Sequence, residues 1–294
     1  MLRPKNIVEP VIKWSGSKRY VAPQLSQHIG NAKRYFEPFV GGGAMLPFRK
    51  VETAIASDII PELINLWNLI KNEPELVAFE YEKRWNRLHT EGHEVYYEIR
   101  DSFNATKNEF DFLFLTRTCA SGLIRYNSNG EFNNSIHKNR PGIHPKTFRE
   151  VVIKWSYFLK GVTFQNTDYR TTLADANTHD FIFLDPPYGG TKDRYTKTEF
   201  NVNDFYAELE RLNSVGATWI LTFDGTAGNR DYGFELPSEL YKHRIAIKTG
   251  NSPFTKLMKT TVDAVMESVY FNFKPYNELN GNKSKQIIQE FEFA

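Results

Sequence analysis

The chain has 294 residues, 40% of them hydrophobic and 24% charged, a balance that excludes a disordered polymer and suits one large α/β unit carrying a smaller one. The formal net charge of +2 is too small to demand a polyanionic partner, and no apolar run is long enough to cross a bilayer. Cys119 is the single cysteine, so an intrachain disulfide is excluded and a reducing cytoplasm is expected; the opening "MLRPKNIVEP" lacks the apolar core of a secretion signal.

In chain order, "AKRYFEPFV" (32–40) reads as a strand entering a glycine turn, and "TAIASDI" (53–59) as a strand ending at Asp58. "PELINLWNLIKN" (61–72) has apolar residues at helical spacing, and Pro61 suits a first helical turn. Residues 74–118 keep helical patterns. A turn-rich stretch follows, "CASGLIRYNSNGEFNNSIHKNRPGI", with Asn129-Gly130 as its hairpin turn. Lys138, Arg140, Lys146, Arg149 and Lys154 then face Glu150 alone, as either a solvated surface or a basic patch for phosphates.

After Lys146 a β/α rhythm resumes. "FREVVIKWSYFLKG" is a helix closed by Gly161, and "VTFQNTD" (162–168) and "DFIFLD" (180–185) are strands. "DFYAELERLNSVG" is a helix, "TWILTFD" (218–224) a strand, and "HRIAIKT" (243–249) with "DAVMESVYFNF" (263–273) a closing strand pair. Alternating elements predict a mostly parallel sheet. The mainly helical block 61–149 interrupts that rhythm and is expected to be a second domain, inserted between 1–60 and 150–294.

Three constellations stand out. In "FEPFVGGGA" (36–44) a strand runs into Gly41, Gly42 and Gly43. This is either a plain glycine-rich turn or a place where a ligand approaches the backbone. It is neither a P-loop nor a complete dinucleotide fingerprint. Asp58, ending the next strand, favours a nucleoside-containing cofactor, because an acid there accepts hydrogen bonds from both ribose hydroxyls. In "IKWSGSK" (12–18), Trp14 and Lys18 flank a short turn; they are either a packed ring and a surface cation or a ligand wall and an anion contact. In "DPPY", two prolines without N–H groups stiffen the exit from a buried strand. That rigidity would hold Asp185 and the Pro186 carbonyl as a fixed acceptor pair for the amine of a flipped base, with Tyr188 stacked on its ring.

The ordered set "KWSGSK", "FEPFVGGGA", "SDI.PELINL", "GLIRYNSNGEFN" and "DPPY" resembles the Dam-like, group alpha (D12 class) DNA N6-adenine methyltransferases over most of residues 11–190. The resemblance implies a Rossmann-like methyltransferase sheet with an inserted, mainly helical target-recognition domain. S-adenosylmethionine is the implied methyl donor and double-stranded DNA the partner. Trp14 and Lys18 would contact the donor's methionine end, Phe39, Gly41 and Gly43 would line its bed, and Asp58 would hold the ribose. Asp168 would contact the adenine ring or simply cap a helix, and Asp185 would touch both ligands. Asp185, Pro186 and Tyr188 are the implied catalytic set. Block 61–149, with a hairpin near 120–135, matches the recognition insertion. Arg125, beside Tyr126 and Asn127, aligns with an arginine that reads guanine, and Lys138 and Arg140 are candidate phosphate contacts. Arg117 is either a reader or an ion-pair partner. Ala120 and Ser121 replace a Tyr-Asn pair of the GATC-reading members, which puts GATC in doubt as the target.

Other chemistries fit less well. Cys119 lies among small and apolar residues, so packing is expected rather than C5-cytosine attack. No Cys/His spacing suggests a structural metal. N4-cytosine methylation and a catalytically silent DNA-binding subunit remain the alternatives; Asp in place of Ser at the head of the motif favours adenine. Oligomeric state, recognition sequence and a restriction partner are not legible.

Overall fold

The strand Asp180–Leu184 is buried at every position, and its side chains divide between two apolar cores. Phe181 and Phe183 belong to one, Ile182 and Leu184 to the other. A strand alternates its side chains between faces, so this one must lie between two covering layers. The computed structural model describes residues 7–137, 139, 141–187, 200–227, 230–231, 236–250 and 265–275.

The described strands are β1 (Arg34–Glu37), β2 (Ala54–Asp58), β3 (Val162–Asn166), β4 (Asp180–Leu184), β5 (Thr218–Ala227), β6 (Arg230–Asp231), β7 (His243–Gly250) and β8 (Val265–Phe271). Seven of them form one sheet in the order β3-β2-β1-β4-β5-β8-β7, and the two-residue β6 pairs with β5. Pairing is parallel from β3 to β5, and β8 runs antiparallel to both β5 and β7. This mixed, mostly parallel sheet with helices is the Rossmann-like methyltransferase fold expected from the motif order.

The helices are α1 (Ala22–Leu25), α2 (Pro61–Asn72), α3 (Pro74–Glu91), α4 (Glu94–Thr106), α5 (Glu109–Thr118), α6 (Pro145–Phe158), α7 (Tyr169–Leu173) and α8 (Val202–Ser214). Pro61 opens α2 at a position where its missing N–H costs no intrahelical bond. The α7 and α8 side chains share a core with Phe36, Ile182 and Trp219. On the other face α1 and α2 join Tyr35, Ala54, Phe181 and Phe271, and the same apolar core runs on through α3 to α6. Trp67 of α2 bridges the two parts, with ring centroids 5.7 Å from Phe164 of β3 and 5.2 Å from Trp155 of α6. Within the helical block, Asp111 of α5 accepts from Arg84 of α3 at 2.8 Å and from Ser102 of α4 at 2.7 Å.

Strand order reverses between β1 and β4, which are neighbours although far apart in sequence. Loops leaving adjacent parallel strands there diverge to opposite faces and open a crevice at the carboxyl ends. The glycine turn leaves β1, and the segment Asp185-Pro186-Pro187 leaves β4. The topology therefore brings two sequence motifs, about 145 positions apart by their residue numbers (40 and 185), to one place.

Candidate active site

The glycine turn is pinned from three sides. Val40 N donates to Ser57 O of β2 at 2.9 Å, and Gly41 N donates to Asp58 Oδ2 at 3.1 Å. Trp67 Nε1 donates to Gly41 O at 3.0 Å. Gly41 and Gly43 have φ of +43° and +61°, where a side chain is strained. The clearance over the turn is also used by tryptophans. A Cβ at Gly41 would lie 2.7 Å from Trp14 Nε1, one at Gly42 2.8 Å from Trp14 Cβ, and one at Gly43 3.0 Å from Trp67. The glycines are thus required by protein packing, whatever else they admit.

Asp58 ends β2, accepting Gly41 N on one oxygen and Ile60 N, at 3.3 Å, on the other. Its main-chain carbonyl accepts Asn166 Nδ2 at 3.0 Å. Phe39 belongs to an aromatic group, 5.2 Å from Tyr169 and 6.1 Å from both Phe200 and Phe205. Asp168 caps α7 through Arg170 N at 3.0 Å and pairs with the Arg170 guanidinium at 2.8 Å. Its helix-capping reading is therefore realised in the structure.

At the end of β4 lies a buried charge cluster. Lys18 is 5% exposed, so the surface-cation reading of the sequence is overturned. Its ammonium stands 2.7 Å from Asp185 Oδ1 and 2.9 Å from Glu267 Oε1, and it donates to Gly16 O at 3.1 Å. Burial alone would lower the Lys18 pKa, but the two carboxylates outweigh it and raise it above the ordinary lysine value. Thr222 Oγ1 of β5 donates to the same Asp185 oxygen at 2.9 Å. Asp185 keeps 23% of its side chain exposed. Pro186 is buried behind it; Tyr188 lies outside the described residues.

Three partners of this cluster carry no signal in the motif reading. Glu267, on β8, is 4% exposed, and burial holds its carboxyl above the usual range although Lys18 pulls it down. Glu37, on β1, is 2% exposed and accepts the Tyr35 hydroxyl at 3.0 Å. Burial, opposed by that hydroxyl and reinforced by the charge of Asp185, pushes the Glu37 pKa up to about 8. Thr222 is the third. A lone acid inside an apolar strand, as in "VMESVYF", is the one pattern that singles out Glu267.

The residues expected to read DNA are arranged differently. Arg125 is exposed and donates to Asn133 Oδ1 at 2.8 Å and to Asn133 O at 3.2 Å. Tyr126 pairs with Phe132 as an antiparallel bridge. Asn127 N donates to Glu131 O at 2.9 Å and Gly130 N to Asn127 O at 3.0 Å, with Gly130 at φ +81°. The hairpin therefore turns through three residues, 128–130, rather than through a two-residue Asn-Gly turn, and glycine takes the left-handed position. Lys138 and Arg140 lie outside the described residues. Arg149 pairs with Glu75 at 2.7 Å. Arg117 is buried and donates to Pro10 O at 2.7 Å and Val11 O at 2.9 Å, so it holds the N-terminal segment. Cys119 is buried and its thiol is pushed up to about 11, mainly by burial, as packing requires. Among the described residues, no group of three His, Cys, Asp or Glu side chains could hold a metal, and no helix is long and apolar enough to cross a membrane.

Known proteins share this chain's pattern. A Type II methyltransferase of Methanocaldococcus jannaschii, M.MjaIII, is 33% identical over 248 residues, covering 69% of this chain and 81% of its own. A DNA adenine methylase of Vibrio cholerae is 31% identical over 198 residues, covering 66% of this chain and 70% of its own. That of Escherichia coli is 28% identical over 206 residues, with coverages of 68% and 72%. A model of the D12 class N6 adenine-specific DNA methyltransferases matches residues 14–220. That span runs from Trp14 through the β1 turn and the β4 exit into β5, so the motifs that the switch point brings together all fall within it, and the chain belongs to this family of DNA adenine methyltransferases.

Proposed function

We propose that the protein transfers a methyl group from S-adenosylmethionine to the N6 amine of an adenine flipped out of double-stranded DNA at a specific sequence. The observation that carries this reading is Asp185, held at the mouth of the switch-point crevice by Lys18 and Thr222 on a single oxygen, Oδ1. The second oxygen, with the Pro186 carbonyl, is then the acceptor pair for the two amine N–H groups. Accepting both favours a pyramidal nitrogen, withdraws its lone pair from the ring and so makes it a nucleophile. Because the lysine and threonine come from separate elements, the acid is fixed before the base arrives, and little reorganisation is needed at the moment of reaction.

S-adenosylmethionine supplies an electrophilic methyl group: the nitrogen lone pair forms the C–N bond while the C–S bond breaks with its electrons left on sulfur. Asp58 would take the ribose hydroxyls, and Phe39 with Tyr169 would flank the donor's adenine. Asp168, Trp14, Gly41 and Gly43 line the same side. Lys18 would hold Asp185 beside the carboxylate end of the donor. Tyr188 would stack on the flipped adenine. The methylated nitrogen sheds its extra proton to solvent.

In this reading block 61–149 is the recognition domain, Arg125 reads a guanine edge beside Tyr126 and Asn127, and Lys138 and Arg140 contact phosphates. The expected cytoplasmic location fits a DNA substrate. A modification role beside a restriction enzyme fits the printed name of the Methanocaldococcus jannaschii relative. The test is to express the chain in cells lacking adenine methylation and to sequence their DNA with modified-base detection. Methyladenine within one short motif is expected, and its absence on replacing Asp185→Ala; methyladenine that persists in the variant refutes the mechanism.

A further inference from the structure

The buried charge cluster has one more carboxylate than Asp185 needs in order to be held. Lys18 and Thr222 already fix Oδ1 of Asp185. Yet Glu267, on β8, reaches to within 2.9 Å of the same ammonium, with 4% of the residue exposed. The Lys18 ammonium therefore faces two carboxylates rather than Asp185 alone.

The backbone is shaped to deliver that side chain. β5 and β8 pair without interruption from Ile220↔Phe271 to Phe223↔Ser268, and the register then shifts, so that Gly225 and not residue 224 stands opposite Glu267. A bulge of this kind re-aims the strands it joins and is common beside active sites. It falls one residue after Thr222 and Phe223, level with the cluster.

We propose that Glu267 is a positioning residue for methyl transfer. It takes up the positive charge of Lys18, so that Asp185 faces the target amine with its full negative charge. The physical reason lies in the sign of the charge that develops. The amine nitrogen becomes positive as the new C–N bond forms. The Lys18 ammonium, close behind Asp185, opposes part of the stabilisation that the carboxylate gives, and a second carboxylate on that ammonium offsets the opposition. In a site shielded from water such differences are weakly screened. Glu37, the other acid near Asp185, is neutral below about pH 8 and supplies no such charge at neutral pH. Glu267 acts on the reacting nitrogen only through Lys18 and Asp185, so the effect belongs to the chemical step and not to the binding of either substrate. This inference rests on Asp185 being the acceptor of the target amine.

The experiment compares Glu267→Gln, Glu267→Asp and Asp185→Asn with the native enzyme. Single-turnover methyl transfer to unmethylated DNA is measured at saturating S-adenosylmethionine, together with the dissociation constants of both substrates. Glu267→Gln is expected to slow the single-turnover rate about 10- to 100-fold, equivalent to about 1.4–2.7 kcal/mol, with both dissociation constants within threefold of native. Glu267→Asp keeps the charge on a shorter stem and is expected to fall between native and Gln. A native single-turnover rate in Glu267→Gln, or a loss confined to substrate affinity, overturns the proposal. If the Gln variant fails to fold, Glu267→Asp decides: a slower rate with native affinities supports the proposal, and a native rate overturns it. Asp185→Asn separates the two layers, since near-native transfer in that variant refutes the role of Asp185 itself, whatever Glu267 does.

Discussion

The charge cluster at the end of β4 and the hairpin at 119–136 are both dense in polar side chains, and they are built in opposite ways. In the hairpin the turn bonds to itself, and Asn104 and Tyr96 of α4 anchor the rest at Phe132 and Asn134. Asn127 Oδ1 accepts Asn129 N and Glu131 N, and Arg125 reaches only to Asn133. In the cluster Lys18, Glu37, Asp185, Thr222 and Glu267 come from five separate elements and meet only when the sheet is complete. The turn of the hairpin is exposed and its side chains bond one another, so they can change without disturbing the fold. The cluster is buried, and each member is the answer to a neighbour's charge.

The sharpest way to break this contrast is to remove the cation. Lys18→Met leaves Asp185 and Glu267 facing each other in a buried site, and breaking such a pair on one side costs about 3–5 kcal/mol. Urea unfolding at neutral pH would show it as a lowered midpoint. A loss of less than about 1 kcal/mol would place the cluster with ordinary surface ion pairs.

A second test uses pH. The Glu37 pKa rises from its ordinary value of 4.5 to about 8 on folding. The native state therefore holds that proton more tightly than the unfolded chain. The contribution is fully present below about pH 4.5, declines by up to about 1.4 kcal/mol per pH unit as pH rises, and is gone above about pH 8. Glu37→Gln should flatten unfolding free energy across that window. Glu267, also shifted upward, should leave a slope of the same sign. An unchanged pH profile in Glu37→Gln would mean that the acid is charged in the folded protein.

Smaller effects are expected at the rim. Asp58→Ala should weaken S-adenosylmethionine by about 1.5–3 kcal/mol, the range for hydrogen bonds to a charged acceptor. Its bond to Gly41 N is lost at the same time, so the glycine turn should loosen as well. Calorimetric titration of the donor in the absence of DNA would measure it, and native affinity would move the ribose elsewhere. On the hairpin, Arg125→Ala should cost about 1–3 kcal/mol against the cognate duplex and relax discrimination at one base position. The unfolding midpoint should hold, because the arginine bonds only to Asn133. Equal weakening of cognate and scrambled duplexes would make Arg125 a backbone contact.

Much of the sheet was legible because its elements announce themselves locally. β4 lies inside an unbroken apolar run, α2 begins at Pro61, and the strand pair 243–249 and 263–273 appears as β7 and β8 within two residues at each end. Motif order likewise pointed to the family, since several short motifs at matched spacing rarely coincide. The hairpin turn was placed correctly but given the wrong loop length, because Asn-Gly suits both a two-residue turn and the last positions of a three-residue one.

Chain order and local pattern were enough for the class of fold and the family, and they singled out Asp185 for test. Three dimensions decided which groups surround that acid. Nothing in "KWSGSK" distinguishes a surface lysine from one buried between two carboxylates, and nothing near Glu267 points to residue 18 or 185. Those contacts depend on the parallel register of β1 with β4 and on the antiparallel return of β8 beside β5. A buried charge is tolerated only where its counter-charge arrives from another part of the chain, and that condition is met by the folded sheet and by no stretch of sequence.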